Sequence, residues 1–385
     1  MRSTWWRIGQ MTRIILINPY IFPKDIRGRG RWDSQRPVSP IGPYKVMNFG
    51  LLSLASFLQK HDLEAHILDL YIEGLDERAV VKQVYDIDPA LVGISCPSAL
   101  NYVPTLRIAK VIKEVKPDTF IVVGGQHIAF LSEVALRECS GIDAVCYGEG
   151  EITMLQLCEY LRGKRKLSDV KGIAFKHKGR ILYTEPSVGL DINALSPIDY
   201  TIYPHWKECI PLIEESRGCP YRCEFCSNSN FYNAKIRFKR PETLINDVHN
   251  AVQIYGEGVP IVIMCSTFGL NPMFAKKFLR ELKRLGYDLR LLASTRVDAP
   301  WRFFINYMDG LFDQIRFGLE SGSPLMLQLM NKTASPTTYL RLAEKAFREF
   351  KSREIPVMVN IILGYCGENP ETLMQSLRFL IKNKG

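Results

Sequence analysis

The chain is organised around one stretch, Arg217-Gly218-Cys219-Pro220-Tyr221-Arg222-Cys223-Glu224-Phe225-Cys226, whose cysteines follow a C-x3-C-x2-C spacing. Three thiolates on one loop can bind three irons of a [4Fe-4S] cluster and leave the fourth iron without a protein ligand. A structural zinc site normally has four ligands, and the nearest further cysteines are Cys209 and Cys265. The spacing therefore favours a cluster with one open iron over the alternatives, a zinc knuckle or three unrelated buried thiols.

The composition is that of an ordinary globular protein, with 385 residues, 46% of them hydrophobic and 23% charged. This length predicts two or three domains. No uncharged apolar run is long enough to span a bilayer, and residues 1–7 lack the apolar core of a signal peptide. Ten cysteines without a regular framework indicate reduced thiols. We therefore expect a cytoplasmic protein without a membrane partner, and we interpret residues 1–12 as an N-terminal extension.

The net charge of +10 admits a nucleic acid or an anionic substrate but requires neither. The basic residues are scattered, apart from Arg27, Arg29 and Arg31 and the run 164–166. A solvated surface is the simpler interpretation, so a nucleic-acid partner is not expected.

Residues 13–163 alternate β-rich runs with amphipathic runs, which predicts a Rossmann-like α/β domain with a parallel sheet. The predicted strands are 13–18, 65–69, 91–95, 120–124 and 144–147, and the predicted helices are 49–60, 77–85, 104–116 and 132–138. Small and polar residues follow the strands in the loops 18–20, 95–98, 124–127 and 147–151. Because such sheets bind ligands at the carboxyl ends of their strands, these loops form the candidate ligand site. The alternative is a domain that has kept this shape and lost its cofactor.

Residues 164–209 are predicted to form a hairpin, with strands 172–175 and 180–183, followed by a linker. From residue 210 to residue 385 the alternation resumes with longer helices, which predicts a partial (β/α) barrel. Its predicted strands are 210–215, 259–264, 289–294, 314–319 and 356–363, and its predicted helices are 241–255, 272–285, 301–308, 336–351 and 370–383.

The cysteine spacing, with the aromatic Phe225 before the last cysteine, resembles the radical S-adenosylmethionine (SAM) superfamily. The resemblance implies that Cys219, Cys223 and Cys226 bind the [4Fe-4S] cluster, whose open iron binds SAM and cleaves it reductively to a deoxyadenosyl radical. The segments 317–323 and 360–368 are similar to the ribose and adenine segments of that superfamily. The resemblance thus implies SAM contacts from Phe225, Arg296, Glu320, Ser321, Asn360 and Gly364. For Arg296, a structural salt bridge is an equal alternative.

The four loops of the first domain, ahead of this motif, resemble the cobalamin-binding domain of cobalamin-dependent radical SAM enzymes. The cobalamin contacts that this implies are Asn18, Ser95, Ser98, Gly124, Gly125, Gln126, Gly148 and Glu149. The D-x-H-x-x-G motif is absent, because Asp25-Ile26-Arg27-Gly28 contains no histidine. The lower face of cobalt is therefore expected to lack a histidine ligand.

The chain departs from the superfamily pattern in two ways. After the second barrel strand, Cys265-Ser266 stands where relatives often carry two acidic residues. Cys265 is either a buried filler or an active-site thiol that handles a hydrogen atom. The barrel pattern also ends after the fifth β/α unit, so we expect either a fragment or a partner that completes the barrel.

These resemblances imply a methyltransferase that acts on an unactivated carbon or phosphorus of a metabolite or peptide, with an electron donor such as flavodoxin or ferredoxin. In this chemistry one SAM methylates reduced cobalt and a second is cleaved to the radical. Two alternatives stay open: a non-methylating radical SAM cyclase or rearrangement enzyme, and a non-catalytic protein that binds cobalamin or an Fe-S cluster. A methylthiotransferase acting on RNA is disfavoured, because Cys96, Cys139, Cys146 and Cys158 show no cluster-like spacing.

Overall fold

The structure is a computed structural model that describes residues 13–19 and 45–384. The chain divides into two compact units, Met1–Cys209 and Ile210–Gly385. The predictions for residues 1–12, for Tyr20, for the segment 25–28 and for the cluster at Arg27, Arg29 and Arg31 lie outside the described residues.

The first unit contains a seven-stranded sheet in the order β2-β1-β3-β4-β5-β6-β7. Its strands are β1 (Ile14–Asn18), β2 (Ala65–Asp69), β3 (Leu91–Ser95), β4 (Phe120–Gly124), β5 (Ala144–Cys146), β6 (Ile173–His177) and β7 (Arg180–Tyr183). Strands β1 to β5 pair in parallel, whereas the predicted hairpin β6–β7 joins the sheet antiparallel to β5. The strand order reverses between β1 and β3, which is where open α/β sheets bind ligands.

Helices cover both faces of this sheet: α1 (Phe49–Gln59), α2 (Glu77–Ile87), α3 (Ala99–Val115), α4 (Gln126–Phe130), α5 (Ser132–Glu138) and α6 (Gly150–Leu161). Alternate residues of β1 enter separate cores, as the pleat requires. Ile15 and Ile17 belong to one buried cluster, and Ile14 and Leu16 belong to the other. The apolar, β-branched run of β1 thus reflects burial on both faces.

In this unit, one predicted helix start is wrong and two helices were not predicted. Helix α3 begins at Ala99 and runs through Pro104, which the sequence reading took as the helix start. Helices α4 and α6 were not predicted, and the segments 124–127 and 147–151, predicted as loops, end within the first turns of α4 and α6.

The second unit contains a five-stranded parallel sheet in the order β14-β13-β12-β11-β8. Its strands are β8 (Leu212–Glu214), β11 (Pro260–Met264), β12 (Arg290–Thr295), β13 (Phe312–Glu320) and β14 (Val357–Ile361). Its helices are α7 (Ser227–Phe231), α8 (Pro241–Tyr255), α9 (Pro272–Leu285), α10 (Pro324–Leu329), α11 (Pro336–Lys351) and α12 (Pro370–Lys382). The α/β fold class with parallel sheets is confirmed.

Several features of this unit differ from the sequence predictions, and the short helices α7 and α10 were among those not predicted. A short antiparallel pair, β9 (Ser216–Gly218) with β10 (Ile236–Phe238), was not predicted. The predicted helix 301–308 is instead two short 3-10 turns, Trp301–Phe303 and Ile305–Tyr307, because Phe304 has φ −132° and interrupts the helical backbone.

Within the described residues, no helix is long and apolar enough to cross a membrane.

Candidate functional site

The cysteine loop starts at the carboxyl end of the first barrel strand. Strand β8 leads into β9, and β9 ends at Gly218, immediately before Cys219. Gly218 has φ +94°, and a Cβ atom there would overlap the backbone oxygen of Lys235, next to β10. Only glycine fits this position without strain. The β9–β10 pair therefore fixes the point at which the loop leaves the sheet.

The three thiols lie within electrostatic range of each other. Cys223 is buried, and Cys219 and Cys226 are half-buried. The pKa of Cys219 is raised, first by burial and then by the neighbouring thiols of Cys226 and Cys223. Iron binding would remove these protons, because the thiolate is the form that binds metal.

Within the described part of the chain, no three His, Cys, Asp or Glu side chains are arranged to hold one metal ion. A cubane distributes its thiolates over separate irons, so its ligands need not converge on a single point. The donor set, three thiols on a tight loop, therefore fits a [4Fe-4S] cluster. The assignment of the cluster to Cys219, Cys223 and Cys226 stays a prediction.

The segment after α10 holds the cysteine loop from the outside. The Glu224 backbone N–H donates to the Met330 carbonyl at 3.0 Å. The Asn331 side-chain amide donates to the Arg222 carbonyl at 2.9 Å. Two hydrogen bonds thus tie the loop to a segment about a hundred residues further along the chain.

Arg296 follows β12 and points at Cys223. Its Nη1 lies 3.4 Å from Cys223 Sγ, and its guanidinium carbon lies 3.7 Å from the centre of the Tyr221 ring. Asp298 accepts from Nε at 2.8 Å and from Nη2 at 2.9 Å. The salt-bridge interpretation of Arg296 is therefore the one that the contacts support, and Asp298 was missed in the sequence.

Glu320 stands at a bulge in the pairing of β13 with β14 and has φ +69°. Its Oε1 accepts from Lys332 Nζ at 3.0 Å, and the same ammonium group lies 5.8 Å from the centre of the Phe225 ring. Glu320, a predicted SAM contact, therefore already has a cationic partner in Lys332. Glu320, Lys332 and Phe225 form one group beside the cysteine loop.

Ser321 is buried and faces α12. Its Oγ lies 3.0 Å from Ser376 Oγ and accepts from the Ser323 backbone N–H at 3.0 Å. The hydroxyl group that we predicted to contact SAM is therefore engaged inside the protein. Asn360 and Gly364, at the end of β14, are exposed, and the Gly364 N–H donates to Glu368 Oε2 at 2.6 Å.

Cys265 lies at the end of β11 beside a buried acid that the sequence reading missed. Glu215 follows β8, is fully buried and accepts from the Ser216 hydroxyl at 3.3 Å. Burial raises the pKa of Glu215 to about 7, although hydrogen bonds from Cys265 and Ser216 oppose the shift. Burial and the Glu215 carboxylate raise the pKa of the Cys265 thiol. Cys265 is therefore held protonated, which leaves both of its predicted roles open.

In the first unit, the polar residues at the ends of β1 and β3 meet. The Asn48 amide donates to Asn18 Oδ1 at 2.9 Å and to Ser95 Oγ at 3.0 Å. The Asn18 amide in turn donates to Asp69 Oδ2 at 3.0 Å, and the Tyr203 hydroxyl donates to the same oxygen. The structure thus brings Asn18 and Ser95 together at the switch point, as part of an internal network.

This network contains residues that the sequence reading missed. Asn48, Asp69 and Tyr203 come from α1, β2 and the linker, and only the fold makes them neighbours. Burial raises the pKa of Asp69, although hydrogen bonds from Tyr203 and Ile72 oppose the shift. Of these residues, only Asn48 could have been noticed in the sequence. It precedes an apolar helical run, and it caps the N-terminus of α1.

The remaining predicted cobalamin residues lie on three loops. Ser98 precedes α3 and donates to Asn101 Oδ1 at 2.7 Å. Gly125 has φ +119°, and a Cβ there would lie 2.7 Å from the backbone carbon of Cys96, so this glycine allows two loops of the protein to approach each other. A Cβ at Gly124 would make only ordinary contact, and one at Gly148 would meet nothing within 4 Å. Gln126 begins α4, and Glu149 precedes α6.

These residues fit a bulky cofactor in part. The carboxyl ends of β1, β3, β4 and β5 form the edge at which such sheets bind ligands, and small residues follow β3 and β4 directly, at Cys96 and Gly125. Open space beside Gly148 gives backbone access there. The Asn18 and Ser95 side chains, in contrast, accept hydrogen bonds from the Asn48 amide, so they fix the shape of this edge.

Comparison with known proteins identifies both units. A model of the B12 binding domain matches residues 42–158, and a model of the radical SAM superfamily matches residues 213–380. These matches confirm the two resemblances noted in the sequence, and each falls within one of the two units.

Two curated relatives span nearly the whole chain. An uncharacterized methyltransferase of Pyrococcus horikoshii is 29% identical over 357 residues, which cover 90% of this chain and 75% of the relative. An anaerobic magnesium-protoporphyrin IX monomethyl ester cyclase of Rubrivivax gelatinosus is 27% identical and covers 81% of this chain, but the match spans only 57% of the relative.

Two solved structures share the fold. The radical SAM methyltransferase TsrM of Kitasatospora setae, with cobalamin and a [4Fe-4S] cluster bound, has a TM-score of 0.75 at 18% identity, covering 97% of this chain and 70% of that chain. The cobalamin-dependent SAM radical enzyme OxsB, with aqua-cobalamin and SAM bound, has a TM-score of 0.75 at 18% identity, covering 98% and 55%. The chain thus joins a B12-binding domain to a radical SAM domain.

Proposed function

We propose that the chain is a cobalamin-dependent radical SAM methyltransferase that acts on an unactivated carbon or phosphorus of a metabolite or peptide. The observation that carries this proposal is the donor set at the carboxyl end of β8: three neighbouring thiols on one loop, with Arg296 directed at one of them. The match to a B12-binding domain supports cobalamin binding. The match to a methyltransferase of Pyrococcus horikoshii supports methyl transfer as the reaction.

We assign the cluster to Cys219, Cys223 and Cys226. When bound, the cluster and cobalamin would supply the reductive cleavage of SAM and the transfer of the methyl group. The chain would hold the thiolates in place through Gly218 and the segment 330–332. It would also bury one thiolate, Cys223, away from water.

We place SAM beside the cysteine loop, at the ends of β13 and β14. The exposed positions Asn360 and Gly364 offer backbone for adenine, and Phe225 offers its ring. Glu320 would act together with Lys332, so a ligand would meet an ion pair rather than a lone carboxylate. Ser321 would contribute through its backbone, since its hydroxyl contacts α12.

We place cobalamin at the carboxyl edge of the first sheet. The contributing positions would be Asn18, Ser95, Ser98, Gly124, Gly125, Gln126, Gly148 and Glu149. The polar network through Asn48 and Asp69 supports a fixed shape for this edge. A fixed edge suits a large, rigid cofactor, because little conformational entropy is lost on binding.

We infer that the partners are a small-molecule or peptide substrate, an electron donor such as flavodoxin or ferredoxin, and a further segment or protein that covers the edge of the second sheet. Strand β14 forms that edge, and the neighbouring helix α12 exposes the apolar side chains of Leu373, Met374, Leu377 and Ile381. Ten free thiols support a reducing, cytoplasmic location.

The second candidate function is a cyclase or another non-methylating radical reaction, and the match to a cyclase favours it. The deciding experiment reconstitutes the chain anaerobically with iron, sulfide and cobalamin, and adds SAM and a reductant. A methyltransferase should release S-adenosylhomocysteine together with deoxyadenosine, whereas a cyclase should release deoxyadenosine alone. A non-catalytic binding protein would release neither product.

The matched variants for this experiment are Cys223→Ala and Cys209→Ala. Both remove a buried thiol, but only Cys223 belongs to the proposed cluster loop. We expect Cys223→Ala to abolish deoxyadenosine formation and Cys209→Ala to retain it. Equal product from both variants would contradict the assignment of the cluster.

A further inference from the structure

Arg296 is held in one orientation by groups on three sides. Its side chain is 5% exposed. The Asp298 carboxylate accepts hydrogen bonds from Nε and Nη2. The Lys332 carbonyl accepts a further hydrogen bond from Nη2 at 2.6 Å. The guanidinium carbon lies over the Tyr221 ring, at 3.7 Å from the ring centre. A planar group with so many fixed contacts has little freedom to turn toward a ligand.

The only contact of Arg296 with a cysteine is made by Nη1, which lies 3.4 Å from Cys223 Sγ, so far as the described residues show. Nε and Nη2 point away from the sulfur, toward Asp298 and Lys332. The positive end of the ion pair therefore faces the sulfur, and the negative end lies behind it. Although the pair is neutral as a whole, its dipole favours negative charge on Cys223.

We propose that Arg296 is a positioning residue for the cluster: it donates an N–H···S hydrogen bond to the Cys223 thiolate and makes the cluster easier to reduce. This inference rests on the proposed function, because it requires a cluster on Cys223. Hydrogen bonds to cluster sulfurs stabilise the reduced state, which carries one more negative charge. Groups behind the ligands tune a metal centre in the same way at other metal sites.

Three residues hold Arg296 in different ways. Asp298 orients the guanidinium group, Tyr221 covers its face, and the Lys332 carbonyl fixes its far edge. Lys332 also carries the ammonium group that pairs with Glu320. The segment 330–332, which is hydrogen-bonded to the cysteine loop, therefore also holds Arg296 in place.

The test is a redox titration of the full chain, reconstituted anaerobically and followed through the electron paramagnetic resonance signal of the reduced cluster, with iron content measured on each sample. The variant is Arg296→Gln, and the matched control is Arg222→Gln, which removes an exposed arginine beside the same cysteine. The hydrogen bond is present in both oxidation states, so only its extra strength in the reduced state counts: the ratio of reduced to oxidised cluster in Arg296→Gln should fall about fivefold at a fixed potential, which corresponds to about 1 kcal/mol. Arg222→Gln should titrate like the wild type.

A second variant covers the case in which Arg296→Gln fails to bind iron. Tyr221→Leu keeps the guanidinium group but removes the ring that holds its face, and it should shift the ratio in the same direction by a smaller factor. Wild-type titration curves for the iron-loaded variants would overturn the proposal. If the wild-type chain itself took up no [4Fe-4S] cluster, the proposed function would fail, and this inference would fail with it.

Discussion

Replacing Glu215 with glutamine should remove a pH-dependent loss of stability from the second unit. Glu215 has 0% exposure, and burial raises its pKa from 4.5 to about 7. A carboxyl group with a raised pKa in the folded state is most favourable to folding when it is protonated, below the unfolded pKa. The wild type should therefore lose stability relative to Glu215→Gln as the pH rises through about 7.

The rise of the Glu215 pKa from 4.5 to about 7 should lower the free energy of unfolding of the wild type by about 3 kcal/mol at high pH. Most of this loss should fall between pH 5 and pH 8. Urea unfolding of the wild type and of Glu215→Gln, followed by circular dichroism across this range, measures the difference. Glu215→Leu is the control, because neither glutamine nor leucine titrates, so these two variants should differ by a constant amount. A wild-type curve parallel to the glutamine variant at every pH would refute the reasoning.

Three further predictions follow from other buried features. Gly218→Ala should reduce the iron bound per chain after reconstitution, because alanine is strained at φ +94°; full iron loading would contradict this. Lys239→Met should lower the free energy of unfolding by about 3–5 kcal/mol, because Asp247 loses its buried partner at 2.7 Å, and Lys239→Met with Asp247→Leu should recover most of the loss. Tyr203→Phe should cost about 1–3 kcal/mol in the same urea assay, because the Asp69 carboxylate loses a donor; an unchanged midpoint would contradict it.

Much of the fold could be predicted from local patterns. Helices α8, α9, α11 and α12 each begin at a proline, and the sequence reading placed all four starts correctly. Proline suits the first turn of a helix, since no N–H is needed there. The same rule failed at Pro104, because α3 begins one turn earlier, at Ala99. Strands β9 and β10, three residues each, carry too little periodicity to be recognised.

The candidate site could be predicted only where its residues are close in sequence. The three cysteines occupy one loop, so their spacing alone was enough to predict a cluster there. Arg296 and Cys223 are 73 residues apart, and the contact between them exists only because β12 ends beside the cysteine loop. The roles of Asn48 and Asp69 were hidden for the same reason, since their hydrogen bonds connect distant segments of the first unit.

The open iron can be tested directly with labelled SAM. The reconstituted, reduced chain is mixed with SAM that carries nitrogen-15 on its amino group, and the cluster signal is recorded by electron-nuclear double resonance. A cluster held by Cys219, Cys223 and Cys226 alone should show coupling to the labelled nitrogen, because the fourth iron is free to bind it. A reduced four-iron cluster whose spectrum does not change when SAM is added would contradict the account.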